Sequence, residues 1–163
     1  MNILIVEDNV DKEDYISMVI RQIDPTANIR WFNNYQDSAY FIDKNKDYID
    51  YIVLDWSFPF NSYERCGYAM GRFLLDYMSH SHMNLKTIIC SSDLVYVNNA
   101  KYPFVVDSIL FENDKSLVDK FEIALSNKDS EEIKESKIRK CINKPDSTYK
   151  YKRKLSSTPW WMQ

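Results

Sequence analysis

The sequence predicts a three-layer α/β/α domain built on a five-stranded parallel sheet, and three observations lead to that fold class. Short apolar runs alternate along the chain with segments of helical periodicity. Several of these runs are apolar throughout, as strands buried on both faces of a parallel sheet are. Acidic residues directly follow two of the runs, at Glu7-Asp8 and at Asp55, and polar groups of functional sites collect at the carboxyl ends of parallel strands.

Each element follows from its own pattern. The predicted strands are residues 3–6, 28–32, 51–54, 87–90 and 105–110. The predicted helices are centred on residues 15–23, 35–44, 70–77 and 117–125. The segment 94–99 is β-branched and rich in asparagine, so that a helix between the last two strands would be short or irregular. Parallel neighbours require a crossover, which the intervening helices supply.

The third predicted helix carries an apolar stripe at helical spacing. This stripe predicts one face packed in the core rather than a set of ligands. Its members are Met70, Phe73, Leu74 and Tyr77.

The charge distribution divides the chain into two parts. Residues 1–127 contain 11 basic and 19 acidic side chains, whereas residues 128–163 contain 10 basic and 5 acidic ones. We therefore expect one domain over residues 1–127 and a basic, aromatic C-terminal extension over residues 128–163, consisting of a short helix and a tail. Contact with a partner protein and simple solvation are equally good explanations of that extension. Nucleic-acid binding ranks behind both, because no helix-turn-helix pattern fits there.

Composition also limits the cellular setting. Apolar residues make up 45% of the chain, but no run has the length of a membrane span and the N-terminus lacks a secretory leader pattern. We therefore expect a cytoplasmic protein without membrane contact. The three cysteines are widely spaced and odd in number, which predicts reduced thiols rather than a disulfide framework or a zinc site.

The acidic residues at the strand ends form the candidate site. Glu7, Asp8 and Asp55 would share one pocket if their strands are neighbours. Clustered carboxylates repel one another unless a cation neutralises them, and Mg²⁺ is the cation that prefers oxygen ligands while keeping several waters. The pattern therefore predicts a Mg²⁺ site.

These residues resemble the receiver domains of two-component response regulators over roughly residues 1–127. The resemblance is carried by the Glu7-Asp8 pair, by the stretch Asp55-Trp56-Ser57-Phe58-Pro59 with Phe in place of the usual Met, and by Ser91 at the end of the fourth strand. It implies a flavodoxin-like topology. It also implies a phosphoprotein of signal transduction that acts through contacts with other proteins.

The resemblance assigns a role to each site residue. Asp55 would accept a phosphoryl group, and Ser91 would contact the phosphoryl oxygens. Asp8 would bind Mg²⁺, with Glu7 assisting through water and the backbone carbonyl of Ser57 as a further ligand.

The implied partners follow from these roles. A sensor histidine kinase or phosphotransfer protein would donate the phosphoryl group, and an unknown downstream protein would read the face between Leu94 and Leu125. The chain would have no enzymatic activity beyond phosphorylation and dephosphorylation of itself at Asp55.

The sequence departs from the receiver pattern at the end of the fifth strand. Glu112 stands where the family has a lysine, and a carboxylate about 4 Å from a phosphoryl group would repel it by about 4 kcal/mol at an effective dielectric of 20. Arg65 or Lys115 is a hypothetical replacement cation. Ile109 takes the place of the usual aromatic residue, and the loop 60–67 is enlarged.

Two alternatives remain from the sequence. One is a pseudo-receiver that binds partners without phosphotransfer. The other is a Mg²⁺-dependent enzyme that processes phosphoesters in a pocket formed by the enlarged loop. At the level of single residues, the three acids could be ordinary surface carboxylates, and Ser91 with Ser92 could cap a helix.

Overall fold

The computed structural model describes residues 1–64 and 67–126, which form five strands and four helices. The strands are β1 (Asn2–Val6), β2 (Asn28–Phe32), β3 (Tyr51–Leu54), β4 (Thr87–Ser91) and β5 (Val105–Leu110). The helices are α1 (Val10–Ile23), α2 (Tyr35–Asn45), α3 (Met70–His80) and α4 (Ser116–Leu125). The predicted extension over residues 128–163 lies outside the described residues, so the division of the chain stays a prediction.

The five strands form one parallel sheet in the order β2-β1-β3-β4-β5. β1 and β3 are adjacent, with Val6 opposite Leu54, and β4 follows with Ile89 opposite Leu54. This arrangement confirms the predicted flavodoxin-like α/β fold. It also brings the carboxyl ends of β1, β3 and β4 side by side at one edge of the sheet.

Helices cover both faces of the sheet. On one face, α1 and α4 pack over a cluster that includes Ile5, Ile16 and Phe121. On the other, α2 and α3 pack over a cluster that includes Leu54 and Leu74. The three central strands β1, β3 and β4 are therefore buried on both sides, which explains why apolar runs without alternation predicted them well.

Asparagine side chains start the first two helices. Asn9 Oδ1 accepts a hydrogen bond from Lys12 N (3.1 Å), and Asn34 Oδ1 accepts one from Asp37 N (2.9 Å). Each bond satisfies a backbone donor that the helix cannot pair internally. The Asn9 cap fixes the turn that leads from the end of β1 into α1.

The predicted stripe on α3 is wrong in one member. The buried residues of this helix are Met70, Gly71, Leu74, Leu75 and Met78. Phe73 is 57% exposed, and Tyr77 is only partly buried. Positions 70, 71, 74, 75 and 78 lie on one face of the helix, which packs in the core. Phe73 lies outside this face.

The connection between β4 and β5 contains no helix in residues 92–104. Ser108 Oγ donates a hydrogen bond to the Val95 carbonyl (2.7 Å), and Asn98 Oδ1 accepts from the Ala100 amide (2.9 Å) in a turn. Tyr102 and Phe104 are buried against the core. The sequence predicted at most a short or irregular helix here, and the structure has bends and turns without a helix instead.

No helix in the described part of the chain is long and apolar enough to cross a membrane. Cys90 is buried in β4, where burial raises the pKa of its thiol to about 12, so the thiol stays protonated at neutral pH. Cys66 and Cys141 lie outside the described residues.

Candidate functional site

Three carboxylates converge at the carboxyl edge of the sheet. Asp55 follows β3 directly and its amide donates to the Val6 carbonyl of β1 (2.9 Å), which sets Asp55 beside Glu7. Glu7, Asp8 and Asp55 each offer a carboxylate oxygen, and these atoms all lie within 4.8 Å of one another. The structure therefore brings the predicted acidic residues together, with Glu7 and Asp55 buried and Asp8 exposed.

A lysine from α1 enters this pocket, and the sequence analysis did not assign it a role. Lys12 Nζ lies 2.8 Å from Glu7 Oε2 and 3.1 Å from Asp55 Oδ1. Only 8% of the lysine remains exposed. Its ammonium group also lies 5.3 Å from the centroid of the Phe111 ring, just after β5, within range of a cation–π interaction.

The charges of the pocket do not balance. Two buried carboxylates share one ammonium group. Burial and the nearby Asp55 charge raise the pKa of Glu7 to about 8. Contacts with Lys12 and the Asn9 amide oppose that shift but do not outweigh it. Burial acts to lower the pKa of Lys12, but its contacts with Glu7 and Asp55 outweigh burial and raise it. Lys12 is therefore charged at neutral pH, while Glu7 holds a proton for much of the time.

Glu112 has a partner at the surface. Lys120 Nζ of α4 lies 3.5 Å from Glu112 Oε2, and the Glu112 side chain is 48% exposed. Glu112 is thus not the unpaired, inward carboxylate that the sequence analysis considered. Lys115 is exposed and forms no ion pair with Asp55 in the described part of the chain, and Arg65 lies outside that part. The cation beside Asp55 is Lys12 instead.

The two serines of the predicted site occupy different surroundings. Ser91 is buried at the end of β4, next to β3, and its Oγ accepts a hydrogen bond from the Asp93 amide (3.4 Å). No helix follows it, so the helix-cap interpretation of Ser91 and Ser92 is wrong. Ser57 is exposed two residues beyond Asp55. The roles that the resemblance assigned to both serines stay predictions.

The enlarged loop is closed at its base by a backbone pair. Phe58 N donates to the Tyr68 carbonyl (3.0 Å) and Tyr68 N to the Phe58 carbonyl (3.2 Å). The amide of Tyr35 at the start of α2 donates to Pro59 O (3.0 Å), and the Tyr35 ring stacks on Phe60 at 5.6 Å. The loop is therefore held against α2.

Gly71 allows α3 to begin directly against the backbone of Asp55. A Cβ atom at Gly71 would lie 2.7 Å from the Asp55 carbonyl oxygen and 3.0 Å from the Trp56 Cα. Gly71 N also donates to the Trp56 carbonyl (3.0 Å). The first turn of α3 thus supports the peptide that carries the candidate phosphoacceptor.

Replacing Gly71 by alanine is expected to lower the free energy of unfolding by about 1–3 kcal/mol, because the methyl group would collide with backbone atoms that cannot yield cheaply. Gly67→Ala is the matched control, since the nearest atom to a Cβ there is 3.5 Å away, an ordinary contact, and the backbone is not left-handed. Urea unfolding followed by circular dichroism measures both variants. Equal stabilities would contradict this account of Gly71.

The donor set fits a divalent cation. Glu7 Oε2 is buried, and its partner among the described residues is the Lys12 ammonium group at 2.8 Å, so this oxygen already pairs with a cation. Carboxylate oxygens from Glu7, Asp8 and Asp55 would serve as ligands for Mg²⁺, which prefers oxygen. Among the residues that the structure describes, Lys12 opposes the binding of a metal ion here, because its ammonium group already occupies the pocket.

Comparison with solved structures confirms the resemblance to receiver domains of response regulators for the fold. Fifty-two chains of solved structures match this chain. No family model and no curated protein matches the sequence.

Three of the matching structures illustrate the range of relatives. A signal receiver domain of a putative LuxO repressor from Vibrio parahaemolyticus has a TM-score of 0.54 at 18% identity, over 85% of this chain and 95% of that one. RcsB from Salmonella enterica serovar Typhimurium, bound to promoter rprA with BeF3⁻, has a TM-score of 0.54 at 20% identity, over 88% and 83%. TrrA from Thermotoga maritima, in complex with Mg²⁺-BeF, has a TM-score of 0.55 at 17% identity, over 76% and 98%.

Proposed function

We propose that this chain is a receiver-like signalling protein of a two-component phosphorelay in which Asp55 accepts a phosphoryl group. The observation that carries the proposal is the position of the Asp55 carboxylate at the carboxyl edge of the sheet, within 4.8 Å of the Glu7 and Asp8 carboxylates and 3.1 Å from the Lys12 ammonium. The donor would be a sensor histidine kinase or a phosphotransfer protein. The output would pass through contacts with a downstream protein.

The contacts of Asp55 distinguish its two oxygens. Oδ1 accepts a hydrogen bond from the Trp56 amide (2.8 Å), and in the metal-free pocket it also pairs with Lys12. We therefore assign Oδ2 as the nucleophile, which would form a bond to phosphorus while the bond between phosphorus and the donor nitrogen breaks. A divalent cation bound by Glu7, Asp8, Asp55 and the Ser57 carbonyl would offset negative charge on the transferring oxygens. The Ser91 hydroxyl, at the end of the adjacent strand, would donate to one of those oxygens.

Two neighbours support this chemistry by analogy. The TrrA structure is a complex with Mg²⁺-BeF, and the RcsB structure is of the protein in the presence of the phosphomimetic BeF3⁻. Both proteins share the fold of this chain. In this chain the carboxyl ends of β1 and β3 supply the carboxylates that a phosphoryl mimic with Mg²⁺ would need.

The test is thermal unfolding with Mg²⁺ and beryllofluoride. For a mimic present at about 100 times its dissociation constant, binding adds about 2.7 kcal/mol, which raises the Tm of a domain of this size by roughly 6–10 °C. Asp55→Asn is expected to abolish the rise. Asp119→Asn, on the exposed side of α4, is the control and should keep it. An absent shift in the parent protein, or a shift retained in Asp55→Asn, would contradict the proposal.

A pseudo-receiver is the second candidate, and Lys12 is the observation that favours it. An ammonium group that already pairs with Glu7 and Asp55 reduces the need of the pocket for a bound cation. In this case Mg²⁺ and beryllofluoride would leave the Tm unchanged. An enzyme acting on phosphoesters would need a substrate pocket formed by the loop beside Asp55, but that loop is held against α2 by the Tyr35 and Gln36 amides.

A further inference from the structure

The acidic pocket contains its own cation. Lys12 comes from the first turn of α1, whereas the acids that it contacts come from the ends of β1 and β3. We propose that the Lys12 ammonium group and a divalent cation compete for the carboxylates of this pocket, so that metal binds only when Lys12 leaves Glu7 and Asp55. This inference rests on the metal site of the proposed function but not on phosphotransfer.

The distances support competition rather than coexistence. Lys12 Nζ lies 2.8 Å and 3.1 Å from one oxygen of Glu7 and one of Asp55, which places it between the two buried carboxylates. A Mg²⁺ ion would need its oxygen ligands at about 2.0–2.1 Å and would thus occupy the same narrow space. Two cations there would also repel each other, because Glu7, Asp55 and Lys12 are nearly buried and solvent screens charges at such positions incompletely.

The position of Lys12 in its helix indicates that the pocket is what holds it. Asn9 is the N-cap of α1, so Lys12 is the third helical residue. A positive charge in the first turn is unfavourable next to the positive end of the helix dipole. The lysine is nevertheless nearly buried, and the carboxylates of Glu7 and Asp55 are the groups that compensate for this.

The Phe111 ring provides a second contact for the Lys12 ammonium group. The Phe111 ring lies after β5, with its centroid 5.3 Å from Lys12 Nζ, and it packs edge-on against Tyr15 of α1 at 6.0 Å. A displaced ammonium group could keep its contact with the face of this ring while giving up the carboxylates. In that position the lysine would lie on the β5 side of the pocket.

The test compares metal affinity in the parent protein, Lys12→Met and Lys120→Met by isothermal titration with Mn²⁺ and Mg²⁺. Methionine retains most of the aliphatic stem but removes the charge. We expect Lys12→Met to bind metal at least tenfold more tightly than the parent. Lys120→Met removes an exposed cation paired with Glu112 and should stay within about twofold of the parent.

Each outcome bears on the competition. Equal or weaker binding in Lys12→Met would overturn it, while leaving the proposed function intact if the parent still responds to beryllofluoride. Absence of binding in all three proteins would overturn both the competition and the metal site.

A measurement on the parent avoids any effect of mutation on folding. In protein labelled with ¹³C at lysine Cε, Lys12 is expected to give a resonance apart from those of the exposed lysines, assigned by its absence in Lys12→Met. Saturation with Mg²⁺ should move this resonance by a clear margin and leave that of Lys120 in place. Metal binding that leaves the Lys12 resonance unmoved would show that the two cations coexist and would overturn the proposal.

Discussion

Replacing Lys12 by methionine is expected to lower the free energy of unfolding of the metal-free protein by about 3–5 kcal/mol, because the variant would leave the buried charges of Glu7 and Asp55 uncompensated. The loss should increase as the pH rises, because contacts with Lys12 oppose the raised pKa of Glu7 and their removal makes ionisation of that carboxyl more costly. Addition of Mg²⁺ should recover more stability in this variant than in the parent protein. Urea unfolding in the presence of a chelator, and then of Mg²⁺, measures both effects.

Lys120→Met is the matched control for this prediction. Lys120 is also a lysine in an ion pair, at 3.5 Å from Glu112, but both partners are exposed to solvent. Exposed pairs contribute at most about 1 kcal/mol, so its loss should be small. Similar losses in the two variants would mean that the Lys12 contacts are no more important than an ordinary surface pair.

The second large effect is a fall in stability between pH 5 and pH 8.5. Burial and the Asp55 charge raise the pKa of Glu7 to about 8, well above its value of 4.5 in the unfolded chain. Between these two values the folded protein binds a proton that the unfolded chain has lost, so stability is highest at the acidic end and decreases as pH rises. We expect a decrease on the order of 3–4 kcal/mol.

Glu7→Gln should remove most of this dependence, because glutamine stays neutral throughout the range. Glu112→Gln changes an exposed carboxyl and should keep the slope of the parent protein. Stability measured by urea unfolding at half-unit pH steps gives the slopes directly. A parent protein whose stability is flat or rises over this range would contradict the raised pKa of Glu7.

The remaining carboxyls with displaced pKa values do not interfere. The pKa is lowered in each of three carboxyls, mainly by a hydrogen bond from a neighbouring hydroxyl: Thr26 to Asp24, Tyr102 to Asp76, and Ser116 to Asp114. A lowered pKa contributes stability that is complete above the unfolded value and is lost only as the pH falls below it. Their contributions are therefore constant above pH 5.

The sequence predicted the centre of the sheet well because β1, β3 and β4 are buried on both faces. Runs such as Tyr51–Leu54 leave no polar position that would suggest a helix or a loop, and the predicted and observed bounds of β2, β3 and β5 are identical. The meeting of Glu7 with Asp55 followed from the topology alone, because adjacent parallel strands end at the same edge.

The sequence did not reveal Lys12, since a lysine in an amphipathic helix ordinarily faces solvent. One local feature could have drawn attention to it. Asn9 is a good N-cap residue, and it places a cation in the first turn, where the helix dipole disfavours positive charge. The sequence also did not reveal the surroundings of Glu112. Its position in the motif gives no sign that its side chain pairs with Lys120 at the surface.

The connection from β4 to β5, which has no helix in residues 92–104, affects how a displacement is transmitted through the domain. A helix moves as a unit, since each turn is bonded to the next, whereas a segment without repeated backbone bonds passes on a displacement only as far as its next anchor. Here the first anchor after Ser91 is Val95, bonded to Ser108 of β5, and the next is formed by Lys101 and Tyr102, which contact Asp76 of α3. A shift at the end of β4 would thus reach β5 through the Val95–Ser108 hydrogen bond and α3 through Lys101 and Tyr102, rather than through the movement of a whole helix.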